Sequence, residues 1–572
     1  MSENFFTDNS DILFHLHNLP LAEILSLRED GYRFAGQYAG APADFAGARQ
    51  QILARLQSLG QLCAGRIAPR ASQVDRDGVS FSDGEVQFAP GTRENLQDLA
   101  NAGLMGVTLP YEFGGLNLPV SIYTMMTEMV SRADASLQNL FGLQEIAETI
   151  YRFGSPEQQQ KYLPRFANGE LDGAMALTEP EAGSDLQAVQ TTATFCPERG
   201  QWLLNGRKRF ITNGRAAVLL VLARSEPDSN DGRGLSLFIV ERCPQLSINS
   251  IEDKMGIHGS PTCELNFQDV PAELVGQRRR GLTRYVMALM NGARLAISAQ
   301  AVGIAEASLR AALEYCGERQ QFGRPLTALV PVQELLTRMK ANIMAGRSLL
   351  YETCKYVDLR DCCEERISRG TATQEDRERE KSAGRLAAVL TPLCKAFTTE
   401  MCNLVCYDSI QCHGGKGYMR DKLPERYYRD ARITNIYEGT TQMQVVAAIG
   451  GVMQRLLEPL LQDIAGLEFS GRLAELAAEA GLAREQLAAA VAEVEKRQNN
   501  DFFELMSRRL VRMQTLVLIS FLLLRDARQQ PQRLCLVERC LGEYLPEVAY
   551  LLQVVKNGDR GALSRAAELL QL

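Results

Sequence analysis

Residues 173–214 read GAMALTEPEAGSDLQAVQTTATFCPERGQWLLNGRKRFITNG, and here the apolar residues change from helical spacing to short alternating runs. The alternation continues to about Val275, with β-rich runs at 190–196, 201–204, 217–223, 235–240 and 263–267. The pairs Asn205-Gly206, Asn213-Gly214 and Asp231-Gly232 separate these runs, and such pairs favour tight turns. Residues 173–276 are therefore predicted to form an antiparallel β-sheet unit.

Both flanks of this unit have the pattern of helices. Before it, apolar residues recur at spacings of three and four, as in 48–59 and 116–132. After it, long helices are predicted at 281–318, 331–359, 383–410 and 440–450. The charged residues 358–381, between the second and third of these, are interpreted as a solvated helix face or loop.

The sequence thus predicts a mainly α-helical protein with a central antiparallel β domain. Five segments follow from the changes in pattern: an N-terminal lead-in at 1–43, a helical domain at 44–172, the β domain at 173–276, a helical bundle at 277–450 and a C-terminal helical extension at 451–572. A chain of 572 residues is too long for a single hydrophobic core, which agrees with several packed units.

Composition and charge exclude several classes of protein. The net charge of −7 argues against a general nucleic-acid binder, and residues 516–524, the longest apolar stretch, are too few to span a bilayer. The first eleven residues lack the pattern of a secretory signal, so a cytoplasmic protein is expected. Fourteen cysteines without a CxxC pair indicate reduced thiols and no disulfide framework.

Several common catalytic and cofactor motifs are missing from the sequence. Only four histidines are present, with no HExxH and no Cys/His cluster, so no metal site is expected. There is no GxSxG nucleophile elbow, no GxxxxGK[ST] phosphate loop and no GxGxxG after a strand. A nucleotide cofactor would therefore have to be held in another way.

Five motifs, in this order, resemble the acyl-CoA dehydrogenase family of flavoenzymes. They are ALTEPEAGSD at 176–185, FITNG at 210–214, RQQFG at 319–323, QCHGGKGY at 411–418 and IYEGTTQ at 436–442. The resemblance covers about residues 48–450, and the added C-terminal block resembles larger bacterial members. It implies a helical N-terminal domain, a β-barrel-like middle domain and a four-helix bundle, followed by the extension.

The resemblance implies α,β-dehydrogenation of an acyl-CoA with FAD as cofactor. Glu438 would take the α proton, and the β hydrogen would pass as hydride to flavin N5. The backbone N–H of Glu438 would help to stabilise the enolate. A second interpretation makes Glu438 a turn carboxylate that caps the helix beginning near Thr440. Some relatives carry the base on the helix that begins near Leu282, but residues 291–294 here contain no carboxylate.

The same resemblance assigns the ligand-binding residues. The expected FAD contacts are Met175, Leu177, Thr178, Ser184, Phe210, Thr212, Arg319, Phe322, Gln333, Gln411, Gly414, Gly415, Thr440 and Gln442. The expected substrate contacts are Ser184, Asn291, Arg294 and Gly439. Arg319 would reach the FAD pyrophosphate of a neighbouring subunit, which implies a homodimer or homotetramer with shared FAD sites.

Three functional readings remain open at this level. The first is a dehydrogenase that passes electrons to an electron-transfer flavoprotein, and the second is an acyl-CoA oxidase that uses dioxygen. The third is a DNA-associated, non-catalytic flavoprotein, which is disfavoured because the C-terminal block has 15 basic and 16 acidic residues. Residues 505–524 are interpreted as a core helix, with membrane contact as the alternative.

Overall fold

The computed structural model describes residues 3–572. The chain divides into two compact units. The first continues to Ser308 and includes Gly415–Thr434; the second is formed by Leu309–Gly414 and Asn435–Leu572. The predicted class, mainly α-helical with a central β domain and a C-terminal helical extension, is confirmed.

Nine helices precede the large sheet in the described chain. They are α1 Ser10–Asn18, α2 Leu21–Arg28, α3 Phe45–Leu62, α4 Ala68–Asp77, α5 Pro90–Asn101, α6 Val120–Ala133, α7 Ala135–Phe141, α8 Glu145–Phe153 and α9 Pro156–Ala167, with a small hairpin of β1 Ser80–Ser82 and β2 Glu85–Gln87 between α4 and α5. Pro90 and Pro156 occupy the first helical turn, where the missing N–H costs nothing. Helix α6 is buried from Ser121 to Ala133 and forms the centre of this layer.

The sheet contains seven strands. They are β3 Gly173–Ala176, β4 Thr192–Cys196, β5 Gln201–Thr212, β6 Val218–Arg224, β7 Leu235–Glu241, β8 Leu246–Ile251 and β9 Thr262–Leu274. The order β3-β6-β4-β5-β9-β7 closes on itself because β6 also pairs with β7, while β8 pairs with β9. The pairing is antiparallel except where β6 meets β3 and, at one residue pair, β4. This agrees with a barrel-like middle domain.

One predicted turn in the sheet was wrong. Asn205-Gly206 does not separate two strands but lies inside β5, where the register against β9 shifts between Leu204 and Gly206. Gly206 has φ +147°, and a Cβ there would come within 2.7 Å of the Thr191 backbone. An Asn-Gly pair therefore serves here as a β-bulge with a close backbone approach instead of a hairpin turn.

The remaining elements are almost all helical. They are α10 Met287–Glu318, β10 Gln320–Gln321, β11 Arg324–Pro325, α11 Val330–Ser368, α12 Gln374–His413, α13 Leu423–Thr434, α14 Thr441–Met453, α15 Glu458–Ala465, α16 Arg472–Arg497, α17 Asn500–Gln529, α18 Leu534–Asn557 and α19 Ala566–Leu570. The two short strands form a hairpin between α10 and α11.

The charged segment 358–381 is less solvated than predicted. It continues α11 and begins α12, and the short loop between them ends at Thr373, which forms a capping box with Asp376 in the first turn of α12. Asp358, Asp361 and Asp376 are buried, so part of the charge faces the interior. Arg366 lies 3.4 Å from Asp376 and supplies an opposite charge.

The C-terminal extension packs against α11. Residues 516–524 of α17 are almost completely buried, so the interpretation as a core helix is confirmed. Polar contacts join the same faces, with Ser348 donating to Asp526 at 2.6 Å and Arg525 lying 2.8 Å from Glu352. Among the residues that the structure describes, no helix has both the length and the apolarity needed to cross a membrane.

Candidate functional site

The segment after β3 is held against β5 by two contacts in the first unit. The Lys208 ammonium donates to the carbonyl of Leu177 at 2.8 Å, and the Arg209 amide donates to the carbonyl of Thr178 at 2.9 Å. Met175 lies next to this segment, in the parallel pair of β3 with β6. Two of the predicted FAD contacts, Leu177 and Thr178, therefore contact the strand that carries Phe210 and Thr212.

Lys208 is also half of a buried ion pair that sequence reasoning missed. Its side chain is fully buried, and its ammonium lies 2.8 Å from the Glu179 carboxylate. Burial lowers the pKa of Lys208 to about 8 although Glu179 opposes the shift. Burial alone would raise the pKa of Glu179, but Lys208 and the amides of Gln190 and Thr191 hold it below its ordinary value. The pair is therefore ionic at neutral pH.

Phe210 has an unusual conformation for an aromatic residue in a strand. It lies in a second β-bulge, where the register shifts between Lys208 and Ile211, and its φ is +61°. Its side chain is 54% exposed, with the Arg209 guanidinium 4.9 Å from the ring centre. An exposed ring held in a strained backbone conformation is available to stack on a flat ligand.

The end of β5 is tied back to the start of β3. Thr212 is half-buried and pairs with Thr262 of β9. The Asn213 side-chain amide donates to the Gly173 carbonyl and to Asp172, both at 3.1 Å. This turn fixes the spacing between the two strands that carry the predicted flavin contacts.

The predicted substrate residues of the first unit lie in two places. On α10, Arg294 is buried and donates to the Asn291 side chain at 3.0 Å. Ser184 lies in an exposed part of the loop after β3. Residues 291–294 contain no carboxylate, but a Cβ added to Gly292 would lie 3.3 Å from the Glu145 carboxylate of α8. A carboxylate is therefore present beside this stretch of α10, which the sequence pattern did not indicate.

The His258 side chain is held by hydrogen bonds that join two elements of the first unit. Its Nδ1 lies 2.9 Å from the Asp75 carboxylate, and its Nε2 lies 2.8 Å from the Lys254 carbonyl. Arg429 of α13 also binds Asp75, at 2.6 Å, and the neighbouring Asp430 accepts from the Ile257 amide at 2.6 Å. His258 thus joins α4 to the loop 255–260, and the hydrogen bond to Asp75 raises the pKa of His258.

We expect replacement of His258 to lower stability mainly at low pH. A histidine whose pKa is raised by folding stabilises fully below its unfolded pKa of about 6.5, and this contribution is lost as the pH rises through the folded pKa. The difference in Tm between wild type and His258→Gln should therefore shrink with increasing pH. Burial raises the pKa of Asp430 to about 6, so Asp430 titrates in the same pH range. It does so in wild type and in His258→Gln alike, and its effect therefore cancels in the difference in Tm.

Thermal unfolding between pH 5 and 9 measures this effect. His17, which is exposed on α1, provides the matched control, because His17→Gln should leave the pH dependence unchanged. A Tm difference for His258→Gln that is constant with pH, or larger at high pH, would contradict a charged His258–Asp75 pair.

In the second unit, the loop that carries Glu438 has a strained backbone. Glu438 and Gly439 have φ of +53° and +86°, and the Glu438 side chain is half-buried. The Lys395 ammonium from α12 donates to the carbonyls of Tyr437, at 2.6 Å, and of Gly439. Thr440 caps α14 by accepting from the Met443 amide, so the predicted alternative in which Glu438 is the cap is wrong. Gln442 is exposed on the first turn of α14.

The ends of α10 and α12 are brought together by two contacts within the second unit. The rings of Tyr315 and His413 stack with their centres 4.5 Å apart, and the Cys316 thiol lies 3.8 Å from the Cys412 carbonyl. These contacts join the end of α10, just before Arg319, to the end of α12, which carries Gln411 and terminates at Gly414.

The hairpin after Arg319 is strongly exposed. Phe322, at its tip, has φ +53° and is 89% exposed, while Gln333 donates to the Thr327 carbonyl at 2.9 Å. Arg319 is exposed. Gly415 has open space where a side chain would lie.

These residues fit a flavin nucleotide. The exposed ring of Phe210 suits a planar ring system, and the exposed guanidinium of Arg319 suits phosphate oxygens. Gly414 and Gly415 leave their backbone open to a close ligand. The charge and the stacking surface needed for FAD are present, each within its own unit.

Sequence reasoning missed Lys208 and Lys395 because charged residues are ordinarily assigned to the surface. A signal existed for Lys395, which interrupts the apolar run of residues 389–397 on α12. A lysine in the middle of such a run is buried with its helix and needs oxygen partners.

Four family models match the chain, and together they span most of it. Their descriptions are acyl-CoA dehydrogenase N-terminal domain at residues 50–170, middle domain at 174–270, C-terminal domain at 280–453, and acyl-CoA dehydrogenase C terminal at 458–535.

Individual proteins and structures are similar as well. The chain is 35% identical to acryloyl-CoA reductase (NADH) of Anaerotignum propionicum over 412 residues, 71% of this chain and 95% of the relative. A solved structure described as the electron transferring flavoprotein of Acidaminococcus fermentans has a TM-score of 0.60 and 32% identity, covering 71% of this chain and 98% of that one. An acyl-CoA dehydrogenase with FAD from Bacillus anthracis has a TM-score of 0.76 at 24% identity, covering 88% of both chains, and supports the fold.

Proposed function

Because the chain belongs to the acyl-CoA dehydrogenase family, we propose that it removes hydrogen from the α and β carbons of an acyl-CoA thioester. The chain is a flavin-dependent oxidoreductase, and its cofactor is FAD. When bound, FAD supplies the acceptor for the β hydrogen with its electron pair. The α proton goes to a carboxylate, and the product is the trans-2-enoyl-CoA.

The observation that carries this proposal is the strained loop at Glu438. A non-glycine residue in the left-handed region costs on the order of 1 kcal/mol or more, and at Glu438 the buried Lys395 binds the carbonyls on both sides of it. The carboxylate is half-buried, and further desolvation by an acyl chain would favour its proton-bound form and make it a stronger base. We assign Glu438 as the base and its backbone N–H as a donor to the enolate oxygen.

The proposed binding residues fall into three groups, which contact the flavin ring, the pyrophosphate and the substrate. Leu177 and Thr178 would meet the polar edge of the isoalloxazine with their backbone, Phe210 would cover a face of the ring and Thr212 would donate to its nitrogen. Arg319, with the backbone of Gly414 and Gly415, would hold the pyrophosphate. For the substrate, Arg294 and Asn291 form the hydrogen-bonded pair that would orient the thioester.

The proposal extends to the electron acceptor and to the oligomeric state of the protein. We propose an electron-transfer flavoprotein as the acceptor, supported by the similarity to the Acidaminococcus structure. The 89% exposed Phe322 on its hairpin supports docking of this tip, with Arg319, on a second subunit, so that FAD is shared between two chains. The resemblance to a reductase means that both directions of the reaction have to be measured.

The direct test is an anaerobic titration of the purified protein with acyl-CoAs of different chain length and branching. Loss of the flavin absorbance band ranks the substrates, and enoyl-CoA formation identifies the reaction. Reoxidation by dioxygen alone at a catalytic rate would favour an oxidase, whereas dependence on an electron-transfer flavoprotein would support a dehydrogenase. No bleaching with any acyl-CoA, at full FAD content, would contradict the proposal.

Arg319→Ala is expected to weaken FAD retention. A hydrogen bond to a charged group contributes about 1.5–3 kcal/mol, which corresponds to roughly ten- to hundredfold in affinity. The measurement is the FAD:protein ratio after dialysis and the Kd for added FAD. Arg324, also exposed on the same hairpin, is the matched control, because Arg324→Ala should retain wild-type FAD. Equal retention in both variants would remove Arg319 from the pyrophosphate site.

A further inference from the structure

Lys395 is a buried lysine whose ammonium binds the loop of the proposed base. It lies on α12 with its side chain fully buried. Its Nζ donates to the carbonyl of Tyr437, at 2.6 Å, and to the carbonyl of Gly439. These two carbonyls belong to the residues immediately before and after Glu438.

Gln444, from the second turn of α14, completes the arrangement. Its side chain is fully buried, and its Nε2 donates to the carbonyl of Gly439 at 2.8 Å and approaches that of Glu438 at 3.3 Å. All three consecutive carbonyls, 437 to 439, are therefore bound by two buried side chains. We call Lys395 and Gln444 the carbonyl clamp.

The clamp explains how the loop keeps its strained shape. Two carbonyls that are two residues apart reach one ammonium only if the chain turns sharply between them, and the successive left-handed φ values at Glu438 and Gly439 produce that turn. A Cβ on Gly439 would lie 2.8 Å from Gln444 Nε2, so a side chain there would displace the Gln444 amide, and the φ of +86° also favours glycine. Burying an ammonium is costly unless oxygens satisfy it, and here the loop provides them.

We propose that Lys395 is a positioning residue for Glu438: by binding the carbonyls on both sides, it fixes the backbone from which the base reaches the α carbon. This inference rests on the proposed function, in which Glu438 is the base. Proton transfer is sensitive to placement, and a shift of about 1 Å in a reacting group can cost on the order of 10²-fold in rate. Lys395 acts through the loop and takes no part in the proton transfer itself.

The test is the kinetics of Lys395→Met, which keeps a long apolar side chain but removes the donors. We expect kcat to fall by on the order of 10²-fold, with little change in KM and in FAD content. The kinetic isotope effect for substrate deuterated at the α carbon should rise, because proton removal becomes more fully rate-limiting. A purely stabilising lysine would lower Tm without changing the kcat and isotope effect of the folded, FAD-bound enzyme, and that result would overturn the proposal.

Two further variants keep the test interpretable. Thr398→Val removes another buried donor of α12, one whose hydroxyl binds the Cys394 carbonyl, and should leave kcat unchanged. If Lys395→Met does not fold, Gln444→Met loosens the same loop and should give the same pattern of lower kcat, unchanged KM and larger isotope effect. Wild-type values for Gln444→Met, with Lys395→Met unfolded, would contradict positioning by the clamp.

Comparison of Glu438→Gln with Lys395→Met shows whether the role proposed for Glu438 or the role proposed for Lys395 is wrong. If Glu438→Gln turns over normally, the proposed role of Glu438 is wrong whatever Lys395 does. If Glu438→Gln is inactive and Lys395→Met retains wild-type kcat, Glu438 is the base and the lysine does not position it.

Discussion

Glu438→Gln should bind FAD and acyl-CoA normally and yet lose turnover by about 10²–10⁴-fold, the range that general base catalysis contributes. The amide keeps the size of the side chain but does not accept the α proton at working pH. The backbone of the loop should keep its position, since the clamp binds the carbonyls of Tyr437 and Gly439. Because acyl-CoA binding is kept, the loss should appear in kcat more than in KM.

Rapid-mixing measurement of flavin bleaching under anaerobic conditions checks this result. Glu318→Gln, at the end of α10 in the same unit, provides a control for removing a glutamate charge. Bleaching at the wild-type rate by Glu438→Gln would place the base elsewhere. The carboxylate of Glu145, beside Gly292 of α10, would then be the next candidate, and Glu145→Gln would test it.

Lys208→Met is expected to have the largest effect on stability. Removing one partner of a buried ion pair costs about 3–5 kcal/mol, because the other charge is left buried without compensation. Here Glu179 would remain with only its amide donors. The Leu177 carbonyl would also lose its donor, so FAD retention should fall together with the free energy of unfolding.

Chemical denaturation of the two lysine variants measures the difference. Lys161 is half-exposed and pairs with Glu241 and Glu273, both at 2.7 Å, so Lys161→Met should cost at most about 1 kcal/mol. The double variant Lys208→Met/Glu179→Gln should recover part of the lost stability, because no uncompensated charge remains. Equal losses for Lys208→Met and Lys161→Met would show that burial of the pair is energetically unimportant.

The fold was predictable where a pattern repeats locally. Alternating apolar residues identified five of the seven strands in the sheet but not β3 and β8, and the long helices α11 and α12 were expected within a few residues of their observed centres. The error at Asn205-Gly206 arose because a hairpin turn and a β-bulge use the same residues, and only the approach of Thr191 distinguishes them. The charged segment was misjudged since the partners of its buried carboxylates are set by tertiary packing.

The candidate site was predictable only in part for a similar reason. Motifs identified the segments that carry Phe210, Arg319 and Glu438, and their roles stay predictions. Lys208 and Lys395 hold two of these segments but are not part of the five family motifs. Lys395 is 43 residues before Glu438 in the sequence. Contacts over such separations depend on how α12 packs, which no local pattern specifies.

The buried contacts between α11 and the extension make the added helices an integral part of the second unit. Burial alone would raise the pKa of Glu352, but Arg525 and Lys355 lower it to about 2, so the carboxylate is charged at neutral pH. Without α17, Ser348 would lose its contact with Asp526 and Glu352 would lose Arg525. A shortened version of the chain that stops before α17 would therefore leave unmatched polar groups on α11.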